Sequence, residues 1–300
     1  TAEEQYRMWE DTLPALPLTL EPAQQAQIWF SFNPTDSTER LGELSVSSNE
    51  PMAVRTSAFV GSGKYADEQA DFWEIPSDPP SDILFAVDQS CSMDDDQWTL
   101  ANNFGTFIDE LSDYSNDWQI IVANDDNGCN NSGLLRPTMA ESTYSALFSS
   151  AVSSGGGSHT ESLLTVGAYA VESTDTAECN AGFMRPDAML HLILVSDEPE
   201  QSAYTSGQSW DDLTSQIIAK KGSSGMVRIS SIAGPVPGGC GSADPGTGYS
   251  EAVAATGGVF LSICSDWATP SNLSQLAEAS INQDTFLLTR EAAESTIVVY

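Results

Sequence analysis

Directly after the apolar run "DILFAV" the chain reads Asp88-Gln89-Ser90-Cys91-Ser92, and Asp94, Asp95 and Asp96 follow at once. A turn of this D-x-S-x-S kind at the end of a strand points one carboxylate and two hydroxyl oxygens toward the top of a sheet. Hard divalent cations take such oxygens, and Mg²⁺ in particular keeps several waters beside a few protein ligands. Two later segments add to the set. The stretch "GGGSHTES" puts Thr160 at a glycine-rich turn entering a helix, and "LILVSDEPE" puts Asp197 at the end of a long apolar strand.

Other chemistries fail on spacing. "GSGK" at Gly61 to Lys64 has Ala58 where a phosphate loop needs its first Gly, and Tyr65 where it needs Ser or Thr. Ser90, His159 and Asp197 could be drawn as a hydrolytic triad, but no G-x-S-x-G elbow carries the serine. The other histidine, His191, lies inside an apolar strand and reads as a satisfied core residue. "NDDNGCNN" has Ala123 where a calcium-binding EF-hand loop needs its first Asp, so it reads as a turn. The expectation is a protein that is not an enzyme.

The elements that must position these residues fall into two textures. From Leu13 to Val60, short period-two runs ("LPLTL", "AQIWFSF", "GELSVSS", "AVRTSAFV") are separated by turn residues, which predicts a partial β-sandwich over 1–63. Residues 64–80 lack periodicity and read as a linker. Over 81–284 strands and helices alternate, which predicts an α/β domain: a doubly wound, mostly parallel sheet flanked by helices. Its strands are "DILFAV", "WQIIVAN", "AMLHLILVS", "GMVRISSIA" and "GVFLSIC", continuous apolar runs suited to a sheet covered on both faces. In the first helix Trp98, Phe104, Phe107, Ile108 and Leu111 are expected on one buried face. Residues 285–300 read as the start of a further, truncated β segment. Ligands of such a fold bind at the carboxyl ends of its strands.

In this order of elements, D-x-S-x-S after the first strand, a Thr in the middle loop and an Asp after a later strand resemble the metal-ion-dependent adhesion site of von Willebrand factor type A domains. The resemblance covers residues 81–284. It implies that Asp88, Ser90, Ser92, Thr160 and Asp197 line a site for Mg²⁺, or for Mn²⁺ or Ca²⁺, with Ser90 and Ser92 as direct ligands. One coordination position would be left for a carboxylate of a protein partner, so that the metal acts as a bridge. Cys91 stands where the family usually has a small residue, and "SDEPE" replaces the frequent Asp-Gly. Residues 16–63 resemble the later strands of immunoglobulin-like repeats in bacterial surface proteins. The function implied is a metal-dependent adhesion module. The alternative is a scaffold or filament component, contacting neighbouring subunits of a surface assembly, in which metal and disulfides only stabilise the fold.

Composition agrees with a folded, extracellular chain. With 43 Asp plus Glu against 10 Lys plus Arg, the net charge is −33, which excludes a phosphate-binding surface and hence nucleic acid. No run approaches the ~20 apolar residues of a membrane span. The first residues, "TAEEQYRMWEDT", lack the pattern of a signal peptide, and the chain reads as a piece of something longer. The five cysteines form no CxxC pair. Their positions after strands suggest the pairs Cys91–Cys129 and Cys240–Cys264, with Cys179 left over, in an oxidising compartment. The expected location is the exterior or the cell envelope, of a bacterium.

Overall fold

The computed structural model describes residues 6–8, 17–21, 24–27, 30–34, 38–47, 54–63, 78–158 and 161–281. Thr160, His159, most of the expected linker at 64–80 and all of the expected β segment at 285–300 lie outside the described residues. The chain divides into two compact units, Thr1–Phe72 and Trp73–Tyr300.

The first unit is built from antiparallel pairs. Strand β1 (Tyr6–Met8) pairs with β2 (Phe30–Phe32), and β3 (Arg40–Ser47) pairs with β4 (Val54–Gly61) in the register Arg40↔Gly61 to Ser47↔Val54. Alternation in β3 follows the pleat, with Leu41 and Glu43 exposed and Gly42 and Leu44 half-buried. The Phe59 ring covers Gly42 so closely that a Cβ there would come within 2.1 Å of it. That ring also stacks on Phe30, with centroids 4.7 Å apart. One expectation fails here: residues 17–20 of "LPLTL" are not a strand, and Leu18 and Leu20 are exposed. Alternation in sequence supplies a face but no ladder partner, and Pro17 removes a backbone donor.

The second unit has the predicted α/β architecture. Strands β5 (Ser81–Val87), β6 (Trp118–Val122), β7 (Met189–Ser196), β8 (Val227–Ala233) and β9 (Phe260–Ser262) form a parallel sheet in the order β6-β5-β7-β8-β9. Leu135 adds a one-residue antiparallel bridge to Ile120 on the outer side of β6. Successive side chains of each strand enter opposite cores. Ile83, Phe85 and Val87 join Ile120, Val122, Ile193 and Val195 under helices α1 (Asp94–Ser112), α2 (Glu141–Val152) and α7 (Pro270–Ala279). Leu84, Ala86, Leu190, Leu192 and Leu194 face α3 (Leu163–Glu172), α5 (Trp210–Lys221) and α6 (Tyr249–Thr256). A single turn, α4 (Ser202–Thr205), follows β7. Burial on both faces explains why the strands read as unbroken apolar runs.

Helix α1 corrects a second expectation. Leu100, Phe104, Phe107, Ile108 and Leu111 are buried, whereas Trp98 is 69% exposed. At 100° per residue Trp98 lies well over 90° from the middle of the arc shared by the other five. Among the described residues no helix is long and apolar enough to cross a membrane.

Candidate metal centre

Strands β5 and β7 are neighbours whose chains leave the sheet toward opposite sides, which opens a crevice at their carboxyl ends. Asp88 follows β5 and Asp197 follows β7. The ladder continues one step beyond β5, with Asp88 N donating to Val195 O at 2.9 Å. The Asp88 side chain folds back over its own turn. Its Oδ1 accepts from Ser90 N at 2.7 Å, and its Oδ2 accepts from Ser196 Oγ at 2.7 Å. An Asp that bonds the backbone two residues on fixes the turn, and the turn brings Ser90 Oγ and Ser92 Oγ to 3.1 Å from one another. Gln97, from the first turn of α1, braces the loop by donating to Asp88 O at 2.8 Å.

Asp88 is fully buried, and burial holds its carboxyl above the ordinary carboxylate range, against the hydrogen bonds from Ser90 and Ser196 and with the charge of Asp197 adding to the rise. Asp197 is 6% exposed, and its buried Oδ1 has no hydrogen-bond partner. A buried carboxylate oxygen without a donor is costly. Around this pair Asp96, Glu161 and Glu198 are raised as well, first by burial and then by one another's neighbours: Asp197 acts on all three, and Asp88 on both glutamates. The edge therefore gathers carboxylates whose charges raise one another's pKa.

Among the described residues no three His, Cys, Asp or Glu side chains cage an ion by themselves, so hydroxyls must share the work. The spacing of Ser90 Oγ and Ser92 Oγ matches the roughly 3 Å between adjacent oxygens around an ion with bonds of about 2.1 Å. Two hydroxyls at that spacing, a buried carboxylate held by its turn and an orphaned carboxylate oxygen across the crevice fit a small divalent cation. Asp88, Ser90, Ser92 and Asp197 are thus gathered at one edge; Thr160 lies outside the described residues.

Asp94 and Asp95 are exposed at the start of α1, where carboxylates also complement the helix N-terminus. Asp96 differs: its Oδ1 accepts from Trp267 Nε1 at 3.1 Å, which fastens α1 to the loop after β9.

The residues that sequence reasoning missed lie one layer deeper. Glu200, in the loop after β7, accepts from Leu164 N at 2.9 Å and from Ser202 N at 2.8 Å, and so ties the start of α3 to α4. Gln201 Nε2 spans Glu161 and Glu198 at 2.6 and 2.9 Å. Tyr249, fully buried at the start of α6, donates to Glu161 O at 3.1 Å. Together they hold the segment that follows Thr160 against the segment that follows Asp197. The acid-rich "SDEPEQS" was the available signal, but nothing in it told a buried Glu from an exposed one.

His191 is fully buried between two hydroxyls, Ser280 Oγ at Nδ1 and Ser230 Oγ at Nε2, both at 2.7 Å. Burial first, then the Arg228 charge, brings its pKa down to about 3, so it stays neutral and structural. The internal void beside Phe85, Leu100, Phe104 and Trp267 is apolar and only about 10 Å³, a packing gap with no room for a substrate.

The disulfides correct the sequence reading in part. Cys240–Cys264 forms as expected, whereas Cys129 bonds Cys179 and Cys91 is free and exposed. The expected Cys91–Cys129 pair fails because the loop after β6 turns onto the α3 side of the sheet. There Asn180 accepts from Asn130 N at 2.9 Å and donates to Gly128 O at 2.8 Å, which brings Cys179 alongside. Gly128 sits so tightly on Ala170 N that a Cβ would approach to 2.3 Å. Cys91 opens the 3-10 turn, Cys91–Met93, that leads into α1 on the opposite face.

No protein-family model matches the chain, and no curated protein does. Among solved structures it is similar to proximal thread matrix protein 1 of the mussel byssus, at 18% identity and a TM-score of 0.42, over 68% of this chain and 48% of that one. It is also similar to the pilus adhesin SpaC of Lactobacillus rhamnosus GG, at 12% identity and TM-scores of 0.42 and 0.40 in two crystal structures, over 83% of this chain. That match covers 35% and 34% of the adhesin, so the chain spans less than half the length of each of these structures. Identities and TM-scores this low transfer no function.

Proposed function

We propose that the chain is a metal-dependent binding module of an extracellular or cell-envelope protein. The observation that carries this reading is the orphaned, buried Asp197 Oδ1 after β7, next to the strand β5 whose end carries the Asp88-Ser90-Ser92 turn. Asp88, Ser90, Ser92, Asp197 and, from the loop before α3, Thr160 would hold Mg²⁺, Mn²⁺ or Ca²⁺. Bound there, the cation supplies a Lewis-acidic position that takes a carboxylate of a protein partner. The chain's own part is to pre-position oxygens: the Ser196 and Ser90 contacts orient Asp88, and the Glu200 and Gln201 contacts set the width of the crevice. Two disulfides support an oxidising exterior as the place of action. Titration calorimetry with Mg²⁺, Mn²⁺ and Ca²⁺ on the wild type and Asp88→Ala is the test. Binding by the wild type alone is expected, and equal, negligible heat from both overturns the reading.

One observation favours a scaffold instead: both oxygens of Asp88 already have donors within the chain. On that reading an ion would only stiffen the loops. Asp197→Ala separates the two. Loss of partner binding at an unchanged thermal midpoint supports adhesion; a lowered midpoint with partner binding intact supports the scaffold.

A further inference from the structure

The charges of the α/β unit are sorted along the strand direction. Its described cations gather at the amino edge of the sheet. Arg185 bonds Ser81 O, Asp82 and Asp117, at the starts of β5 and β6. Lys221 donates to Arg185 O, Lys220 pairs with Glu172 at the end of α3 and with Asp175 just beyond it, and Arg228 is the second residue of β8. Arg136 follows Leu135, which runs antiparallel to β6 and so heads for the same edge. At the carboxyl edge Asp94 and Asp95 are exposed and Glu161 and Glu198 half-buried, and the described Lys and Arg of this unit lie toward the other edge.

Exposed apolar side chains are sorted the same way. In this unit the large ones among the described residues are Trp98 at 69%, Leu147 at 39%, Tyr204 at 88% and Val236 at 42%. Leu147 lies on α2, whereas Trp98, Tyr204 and Val236 follow β5, β7 and β8 respectively, in segments that leave the sheet at its carboxyl edge. Scattered exposure of single residues means little, but three such residues in the segments that follow three neighbouring strands at one edge mark an interaction surface. Trp98 stands one helical turn beyond Asp94 and Asp95, so an ammonium or guanidinium group placed over the indole also meets carboxylates.

We infer that the carboxyl edge docks a basic protein surface, whose Lys or Arg side chains lie over Asp94, Asp95, Glu161 and Glu198 and whose apolar contacts fall on Trp98, Tyr204 and Val236. The inference rests on the reading above in placing a cation-bridged carboxylate at the middle of that surface. It adds that the carboxylate stands among positive charges, because an acidic neighbourhood would be repelled by the rim. Complementary rim charge governs encounter and partner choice, and central aromatics supply most of the affinity of such interfaces.

The test uses synthetic peptides of equal length, each with one Asp, flanked by lysines in one and by glutamines in the other, titrated into the full chain at saturating Mg²⁺. The lysine peptide is expected to bind about tenfold or more tightly. Neutralising the rim (Asp94→Asn, Asp95→Asn, Glu161→Gln, Glu198→Gln) should abolish the preference. Neutralising Asp109, Glu110, Glu141 and Glu178, away from the edge, should preserve it, and Trp98→Ala with Tyr204→Ala should weaken binding severalfold. Equal binding of the two peptides, or equal effects of the rim and remote sets, overturns the inference. A third peptide, lysine-flanked with Asn for Asp, separates the two readings. If it binds as tightly as the Asp form and chelator changes nothing, the docking surface stands and the metal bridge falls.

Discussion

Strand β5 carries a buried aspartate at each end, and the two are treated in opposite ways. At the amino end Asp82 meets Arg185 twice, from the backbone N at 2.6 Å and from Nε at 2.8 Å. At the carboxyl end Asp88 meets only a backbone N–H and a hydroxyl, and across the crevice Asp197 Oδ1 meets nothing. The same sheet thus neutralises one buried acid with its own cation and gathers the others without one. Stability alone would treat both ends alike, because a buried charge without compensation is expensive wherever it lies. The difference is what the proposed cation site requires: a positive charge supplied from outside at the carboxyl end.

The comparison breaks most visibly at Arg185. Replacing it with Met strands Asp82, whose side chain is fully buried, and should cost about 3–5 kcal/mol in urea unfolding. Asp88→Asn, measured without divalent ions, should change stability by less than about 1 kcal/mol. Equal losses at the two ends would erase the distinction.

Next in size is a pH effect at the amino end. Burial, outweighing Arg185, pushes Asp82 up to about 6 from its ordinary 3.8, while His191 is brought down to about 3 from 6.5. The folded state thus holds a proton on Asp82 more readily than the unfolded chain does. That contribution, about 3 kcal/mol, is full below pH ~4 and lost as pH rises through about 6. His191 runs the other way: its contribution is full above pH ~6.5 and lost as pH falls. Between about pH 4 and 6 the two oppose each other. Urea midpoints across that window should fall toward acid more steeply in Asp82→Asn than in the wild type, and less steeply in His191→Asn.

Somewhat smaller is the effect of the ion. At a hundredfold excess over Kd, Mg²⁺ should stabilise the wild type by about 2.7 kcal/mol and Asp88→Ala not at all. Arg185→Met should keep the full increment, since it alters the other end. Smallest are Asp94→Asn and Asp95→Asn, each expected within about 0.5 kcal/mol in thermal unfolding because both residues are exposed. A large loss from either would make the rim a structural device.

The two ends of β5 were not equally legible. The carboxyl end announced itself, because alternating Asp, Ser and Ser after an apolar run is a local pattern and the strand dictates where it points. The sheet followed from runs such as "LHLILV", which only a doubly covered strand would leave unbroken. Asp82 could not be read, since its partner Arg185 is 103 residues away and enters through a loop with no periodicity. The same limit hid Glu200 and misassigned Cys129. Sequence fixes which edge a loop leaves from, but the side of the sheet to which it then turns depends on tertiary contacts such as those of Asn180. Trp98 differs: its spacing sets it outside the buried arc, and its hydrophobicity alone does not bring it in.

Because Cys129 pairs with Cys179 and Cys240 with Cys264, Cys91 is the one free thiol in the chain, and it is exposed in the middle of the D-x-S-x-S turn. The protein therefore comes with a labelling handle at the place of interest. A maleimide fluorophore attached there, with both disulfides intact and no residue changed, would sit between Ser90 and Ser92 and register cation or partner arrival as a change in its own emission.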